Sequence, residues 1–123
     1  MIRTLFLLFG GLVSSAVAEA DGSWMKKVPQ REHDRANPYQ SQADAVAAGK
    51  RLFGDHCAPC HGENAEGKKK KPALTSERIQ QQATEGDIHW LLVNGNRGRG
   101  MPSWAKLPDP QLWQLIAYIK SLH

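Results

Sequence analysis

The chain contains only two cysteines, Cys57 and Cys60, and both stand in one short segment that ends in a histidine, Cys57-Ala58-Pro59-Cys60-His61. Two cysteines at this spacing can close a disulfide, supply thiolates to a metal site, or form thioether bonds to a prosthetic group. Which of these chemistries is open depends on the redox state of the compartment in which the chain works.

The first twenty residues have the pattern of a secretory signal peptide. Arg3 precedes an apolar stretch, residues 5–13, and the patches Ala16-Val17-Ala18 and Ala18-Glu19-Ala20 follow it. That stretch is shorter than the roughly 20 residues of a membrane-spanning helix, and no cysteine stands at the cleavage site to carry a lipid. A retained N-terminal anchor is the alternative. We therefore expect an exported, periplasmic protein that is cleaved after Ala18 or Ala20 and has no transmembrane span in its mature form.

The mature length and charge limit the class of protein. Without a signal peptide at residues 1–20, about 100 of the 123 residues remain, which suffices for one small domain. A core made of side chains alone would be marginal at this size, so a staple or a large buried ligand would stabilise it. The net charge of +4 suits docking on an acidic protein surface, but it is too small to indicate nucleic-acid binding. We expect a monomer with no nucleic-acid partner.

Residues 21–42 form a polar lead-in to the rest of the chain. They contain Pro29 and Pro38 and show neither helical nor strand periodicity, which predicts an extended or disordered arm. The sizeable apolar side chains of this arm are Trp24, Met25 and Tyr39. The arm therefore has few contacts with which to attach itself to a folded domain.

Three segments of residues 43–123 have helical patterns. The first begins at Ala43 and ends at Gly54. The second follows Thr84-Glu85-Gly86-Asp87, which resembles a capping box, and ends at Gly95. The third has Asp109 as N-cap and Pro110 at its first position, and one face of it carries Leu112, Leu115, Ile116, Ile119 and Leu122. No segment alternates apolar and polar residues for long enough to predict a strand, so the fold class is all-α.

The possible chemistries of the cysteine pair need different surroundings. A thioredoxin-like dithiol follows a strand, and no strand is predicted before Cys57. A structural zinc site needs four ligands, whereas His56 is awkwardly placed beside Cys57 and the other histidines are distant in sequence. Haem attachment needs only Cys-x-x-Cys-His, in which the thiols bond the two vinyl groups and the imidazole of His61 binds the iron. The pattern and the export signal together favour one covalent haem c.

An ordered series of motifs surrounds this segment. In chain order the members are Gly49 and Phe53, the attachment segment with Gly62, Pro72, the sequence DIHWLLVNG, Gly100-Met101-Pro102, and a last helix with Tyr118. This series, over residues 43–123, resembles the class I c-type cytochromes. The arm resembles, more loosely, those of small cytochromes that serve periplasmic quinoprotein dehydrogenases.

The resemblance implies a cytochrome c fold, with helices packed around one covalently attached haem. It also implies that the first and last helices cross closely, with Gly49 and Phe53 against Tyr118. The proposed activity is then electron transfer without enzymatic chemistry.

Met101 is the candidate for the second axial ligand of the iron. Of the three methionines, Met1 belongs to the signal peptide and Met25 to the arm. A neutral thioether favours Fe(II) and raises the reduction potential, which suits a carrier. The alternative role for Met101 is gap filling in a surface loop. His89 is a rival ligand, although a mid-helix histidine more often belongs to the helix face or the core.

Two further cofactor-binding residues follow from the resemblance. The carbonyl of Pro72 would accept the second ring hydrogen of His61, or else Pro72 only ends the preceding lysine run. Trp104 either donates its indole hydrogen to a haem propionate or covers the haem edge. Trp90 and Trp113 are interpreted as packing residues of the core or of the haem wall.

Four lysines at residues 68–71 and two arginines, Arg97 and Arg99, form the basic segments of the domain. The lysine run is either a solvated loop or a surface that steers an acidic redox partner toward the haem. The arginines stand in the stretch Arg97-Gly98-Arg99-Gly100, whose Arg-Gly repeat is of the kind found in RNA-binding tracts, but export and the adjoining Met101 argue against RNA.

The sequence thus predicts a periplasmic single-electron carrier. Its donor would be a dehydrogenase, with a quinoprotein as one candidate, and its acceptor a terminal oxidase or another cytochrome. The alternative hypotheses are a haem-based ligand-binding or peroxidase-type protein with an open sixth position, and a non-haem exported thiol protein.

Overall fold

The computed structural model describes residues 23–62, 64–67 and 73–123. The predicted signal peptide, the lysines at 68–71 and Pro72 lie outside these residues. The α-helices are α1 (Gln30–His33), α2 (Ala43–His56), α3 (Ala58–His61), α4 (Glu85–Asn94) and α5 (Asp109–Lys120). A 3₁₀-helix, Ser23–Lys27, precedes them, a π-helix, Arg78–Gln82, precedes α4, and a short 3₁₀-helix, Arg97–Arg99, follows it.

The described residues form no strand, and their one isolated bridge pairs Asn96 with Met101. The all-α class predicted from the sequence is confirmed. Among the described residues, none of the helices has the length and apolar character that crossing a membrane requires.

The crossing of α2 and α5 is the main packing contact of the domain. A Cβ added to Gly49 on α2 would lie 2.0 Å from the carbonyl oxygen of Gln114 on α5, so the backbones touch here. One turn further along α2, the ring of Phe53 lies 5.3 Å from the ring of Tyr118, and both side chains are buried. The predicted close crossing at Gly49 and Phe53 is confirmed.

Helix ends follow the local signals in some places and not in others. At α4 both hydrogen bonds of the predicted capping box form between Thr84 and Asp87, and Gly95 ends the helix with φ +70°. The helix α2 runs two residues past Gly54, to His56. The N–H of Cys57, the residue after it, still donates to the carbonyl of Phe53. The N-cap of α5 is Pro108, so the prediction of Asp109 was wrong by one position.

The reason for that error is a tertiary contact. The carboxylate of Asp109 accepts hydrogen bonds from Nε2 of His89 at 2.7 Å and from Nε1 of Trp113 at 3.0 Å. Its oxygens are therefore engaged by side chains, and Asp109 makes no cap with the first amides of α5.

The arm also differs from the prediction of an extended or disordered segment. It contains the 3₁₀-helix Ser23–Lys27 and the helix α1, and Trp24 is buried with only 8% of its surface exposed. The amide of Asn37 donates a hydrogen bond to the carbonyl oxygen of Trp113 at 2.8 Å. These helices are too short to produce a periodic pattern, and α1 is held by its packing against α4.

The close crossing gives a direct test by substitution. We expect Gly49→Ala to lower the free energy of unfolding by about 1–3 kcal/mol, because the added methyl group overpacks the contact with Gln114. Gly54→Ala is the matched control on the same helix, since nothing lies within 4 Å of its added Cβ. Thermal and urea unfolding measure the difference, and equal stability of the two variants would contradict the crossing.

Candidate cofactor site

The segment with both cysteines begins where α2 ends. The N–H of Cys57 donates to the carbonyl of Phe53 at 2.8 Å, which continues the helical hydrogen bonding of α2. The N–H of His61 then donates to the carbonyl of Cys57 at 2.9 Å, so the segment is one helical turn. This turn brings Cys57, Cys60 and His61 to the wall of one cleft, because residues three and four apart share a helix face.

The cleft has the lining of a cofactor site. The space inside it amounts to about 1080 Å³ when the open solvent at its mouth is included. Its apolar wall comprises Trp24, Leu74, Ile79, Ile88, Leu91, Leu92 and Ile119. A large apolar cleft with few polar groups is typical of binding sites for bulky cofactors. Haem, with its apolar macrocycle, fits such a wall.

Met101 lies in the same cleft, on a loop that is fixed to the end of α4. The N–H of Asn96 donates to the carbonyl of Met101 at 2.9 Å, and the reverse bond from the Met101 N–H is 3.0 Å long. A Cβ on Gly95 would lie 2.8 Å from the backbone of Pro102, which shows how closely this loop folds back. The N–H of Trp104 donates to the carbonyl of Leu92 at 2.7 Å. The thioether is thus presented by a braced loop.

Trp104 is half-buried and lines the cleft beside His56, with 5.2 Å between the two rings. His56 is the last residue of α2, and the sequence analysis considered it only as an unfavourable zinc ligand. Its position at the cleft was missed because no local pattern distinguishes a histidine at a helix end that faces a cavity. The predicted role of Pro72 toward His61 falls outside the described residues and stays a prediction.

His89, the rival ligand, lies outside the lining of the cleft. Its ring is 5% exposed and stacks on Trp113, with ring centres 4.2 Å apart. Because Arg35 can only donate, its bond to Nδ1 at 3.3 Å makes Nε2 the donor to Asp109. The hydrogen bond from His89 is the main cause that lowers the pKa of Asp109 below its ordinary value. Both ring nitrogens of His89 therefore serve a polar cluster on the other side of α4.

The Cys57 thiol does not have the properties of a redox-active nucleophile. Both cysteines are free, Cys57 is buried and Cys60 is exposed. Burial, and then the neighbouring Cys60, raise the pKa of the Cys57 thiol to about 12. Dithiol oxidoreductases need a lowered pKa, because the thiolate is the nucleophile. A disulfide-exchange role is therefore disfavoured.

A structural zinc site needs four ligands close together. Among the residues that the structure describes, no group of three or more His, Cys, Asp or Glu side chains is placed to hold a metal ion. By contrast, two thiols and an imidazole on one wall, a thioether on a braced loop and an apolar interior fit haem attachment.

Comparisons with known proteins agree with this fit. Residues 44–119 match the family described as cytochrome C oxidase, cbb3-type, subunit III. The chain is similar to the Cbb3-type cytochrome c oxidase subunit FixP of Rhizobium etli, with 34% identity over 84 residues, 67% of this chain and 29% of that protein. It is also similar to the subunit CcoP of Rubrivivax gelatinosus, with 35% identity over 79 residues, 63% of this chain and 26% of that protein.

The chain thus spans less than a third of the length of these two relatives. Among solved structures, it resembles cytochrome CL from the marine methylotrophic bacterium Methylophaga aminisulfidivorans MPT. The TM-score is 0.59 and the sequence identity 28%, over 68% of this chain and 57% of that one.

Attachment can be tested by removing the thiols. Cys57→Ala or Cys60→Ala should lower the yield and leave haem held by one thioether, and the double variant should give no holoprotein. Haem stain on a denaturing gel measures covalent retention. Stain that persists in the double variant would contradict attachment through this pair.

Proposed function

Because the chain belongs to the family described as cytochrome C oxidase, cbb3-type, subunit III, we propose that it is an exported, periplasmic carrier of single electrons. The c-type cytochrome domain of this family carries covalent haem c, which supplies one-electron chemistry when bound. The observation that carries the proposal is that Cys57, Cys60, His61 and Met101 all line one apolar cleft. No proton or atom transfer is then required of the side chains.

These four residues divide between two tasks. Cys57 and Cys60 anchor the cofactor through thioethers, and His61 and Met101 ligate the iron. The braced loop that carries Met101 keeps the sulfur in place, and its soft, neutral character favours the reduced state. The apolar wall excludes water. This further favours the reduced iron, because a site without water disfavours the higher charge of the oxidised iron.

Transfer to a partner needs a part of the cleft that is open. The lining residues Cys60, Gly100 and Pro102 are exposed, so the mouth of the cleft faces solvent beside the Met101 loop. Trp104, half-buried in the lining, is the proposed cover or propionate donor at this mouth. A partner that approaches the mouth comes nearest to the cofactor.

Ligation by Met101 can be separated from other roles by spectroscopy. In holoprotein, Met101→Ala should lose the weak near-infrared sulfur charge-transfer band, bind added cyanide or imidazole more readily, and have a lower midpoint potential. Met25→Ala is the control, because Met25 lies on the arm and outside the cleft lining.

The same experiment decides between carrier and ligand-binding protein. If the parent holoprotein shows no sulfur band and binds cyanide as fast as Met101→Ala, the sixth position is open and the carrier proposal fails. If Met25→Ala produces the changes expected of Met101→Ala, the ligand assignment is wrong.

The proposed partners are redox proteins. The relatives are named as subunits of cbb3-type cytochrome c oxidases, which supports an oxidase or another cytochrome as the acceptor. We propose a periplasmic dehydrogenase, with a quinoprotein as one candidate, as the donor. The net charge of +4 and the basic residues at 68–71, Arg97 and Arg99 support an acidic docking surface on a partner.

The lysine run can be tested by charge removal. Replacing the four lysines at 68–71 by Gln should slow bimolecular electron transfer at low salt and flatten its ionic-strength dependence, since steering acts over about 10 Å at 0.1 M salt. The midpoint potential should hardly move. Stopped-flow rates at several salt concentrations measure this. An unchanged rate and an unchanged salt dependence would show that the lysine run does not steer a partner and is only a solvated loop.

A further inference from the structure

The arm contributes a side chain to the cleft. Trp24, on the 3₁₀-helix Ser23–Lys27, is 8% exposed and lies in the same cleft lining as Cys57, His61 and Met101. No sequence motif marks Trp24. By comparison, Trp90, which is half-buried on α4, is absent from the lining. A large aromatic side chain buried at this place adds apolar surface to the cofactor wall.

A close backbone contact holds the arm against α4. A Cβ added to Gly86 would lie 1.9 Å from the carbonyl oxygen of Glu32 and 3.1 Å from the backbone of Arg35. Gly86 is therefore the residue that lets α1 and the turn after it approach the first turn of α4. Any larger residue would displace the arm or α4.

Hydrogen bonds fix the same contact. Oγ1 of Thr84 donates to the carbonyl of His33 at 2.7 Å, and Nδ1 of His33 lies 2.8 Å from the carboxylate of Asp87, which is 2% exposed. That carboxylate also accepts the N–H of Thr84 at 2.9 Å as part of the capping box. The residues that begin α4 are thus the residues that hold the arm.

A second anchor lies where the arm passes α5. The guanidinium of Arg35 lies 5.1 Å from the ring centre of Trp113 and donates to His89 at 3.3 Å. Asn37, which is 4% exposed, donates to the carbonyl of Trp113. The arm is therefore attached to both α4 and α5, and α4 presents its other face, with Ile88, Leu91 and Leu92, to the cleft.

We infer that the arm is a wall of the haem site: Trp24 is a haem-contacting residue, and docking at Gly86 and Arg35 keeps it there. This inference rests on the proposed haem site. It assigns the arm a role in the environment of the iron, because an apolar side chain at the cofactor excludes water and so favours the ferrous state.

The test uses full-length holoprotein. Trp24→Ala should admit water to the cleft and shift the midpoint potential downward, whereas Trp90→Ala should leave the potential near that of the parent. Gly86→Ala replaces no residue of the lining, and it should release the arm and shift the potential in the same direction. Gly54→Ala is its matched control, since it adds the same methyl group where nothing lies within 4 Å.

A second measurement follows the arm itself. Limited trypsin digestion with mass spectrometry should show faster cleavage after Arg35 in Gly86→Ala than in the parent or in Gly54→Ala. If Gly86→Ala releases the arm but the potential stays unchanged, the arm is not a wall of the haem site.

The failure of this inference differs from the failure of the proposed function. If the parent retains haem on a denaturing gel and Trp24→Ala has the potential of the parent, only the role of Trp24 is overturned. If the parent retains no haem, the proposed site fails and this inference with it. If Trp24→Ala does not accumulate as holoprotein, Trp24→Phe replaces it and should shift the potential downward by a smaller amount; no shift would overturn the inference.

Discussion

The contact between the backbones of α2 and α5 at Gly49 is the constraint on which the rest of the structure depends. It fixes the direction in which α2 runs and therefore the place where its end delivers Cys57, Cys60 and His61. From α5, Ile119 reaches the same cleft. Because the backbones touch at Gly49, neither helix can slide along the other at this point without a clash. The attachment segment thus starts in the core, where Cys57 and Ala58 are buried.

The helix α4 connects the remaining parts of the domain. One of its faces lines the cleft, its first turn holds the arm through Gly86 and Asp87, and its end carries the loop with Met101. Side chains at spacings of three and four share a face, so one short helix can serve the cleft and the arm at once. The arm and the loop with Met101 are consequently both attached to α4.

How well the sequence predicted each part depended on the distance over which the relevant contact acts. The capping box of α4 was predicted correctly because both of its bonds join residues within one turn. The N-cap of α5 was wrong because the carboxylate of Asp109 is engaged by His89, a residue 20 positions away. The arm was misinterpreted because its contacts join residues as far apart as Asn37 and Trp113, 76 positions along the chain.

The sequence by itself determined the chemistry and the class of the domain. The spacing of Cys57, Cys60 and His61 selects haem attachment, and helical periodicity without strand alternation selects an all-α fold, since both are local properties of the chain. Only the tertiary structure decided that His89 faces away from the cleft and that Trp24 faces into it. The physical reason differs for the two residues. The short segment of Trp24 has no periodicity and therefore no preferred face, whereas α4, the helix of His89, packs on more than one side. In both cases the surfaces against which the segment packs decide which way the side chain faces.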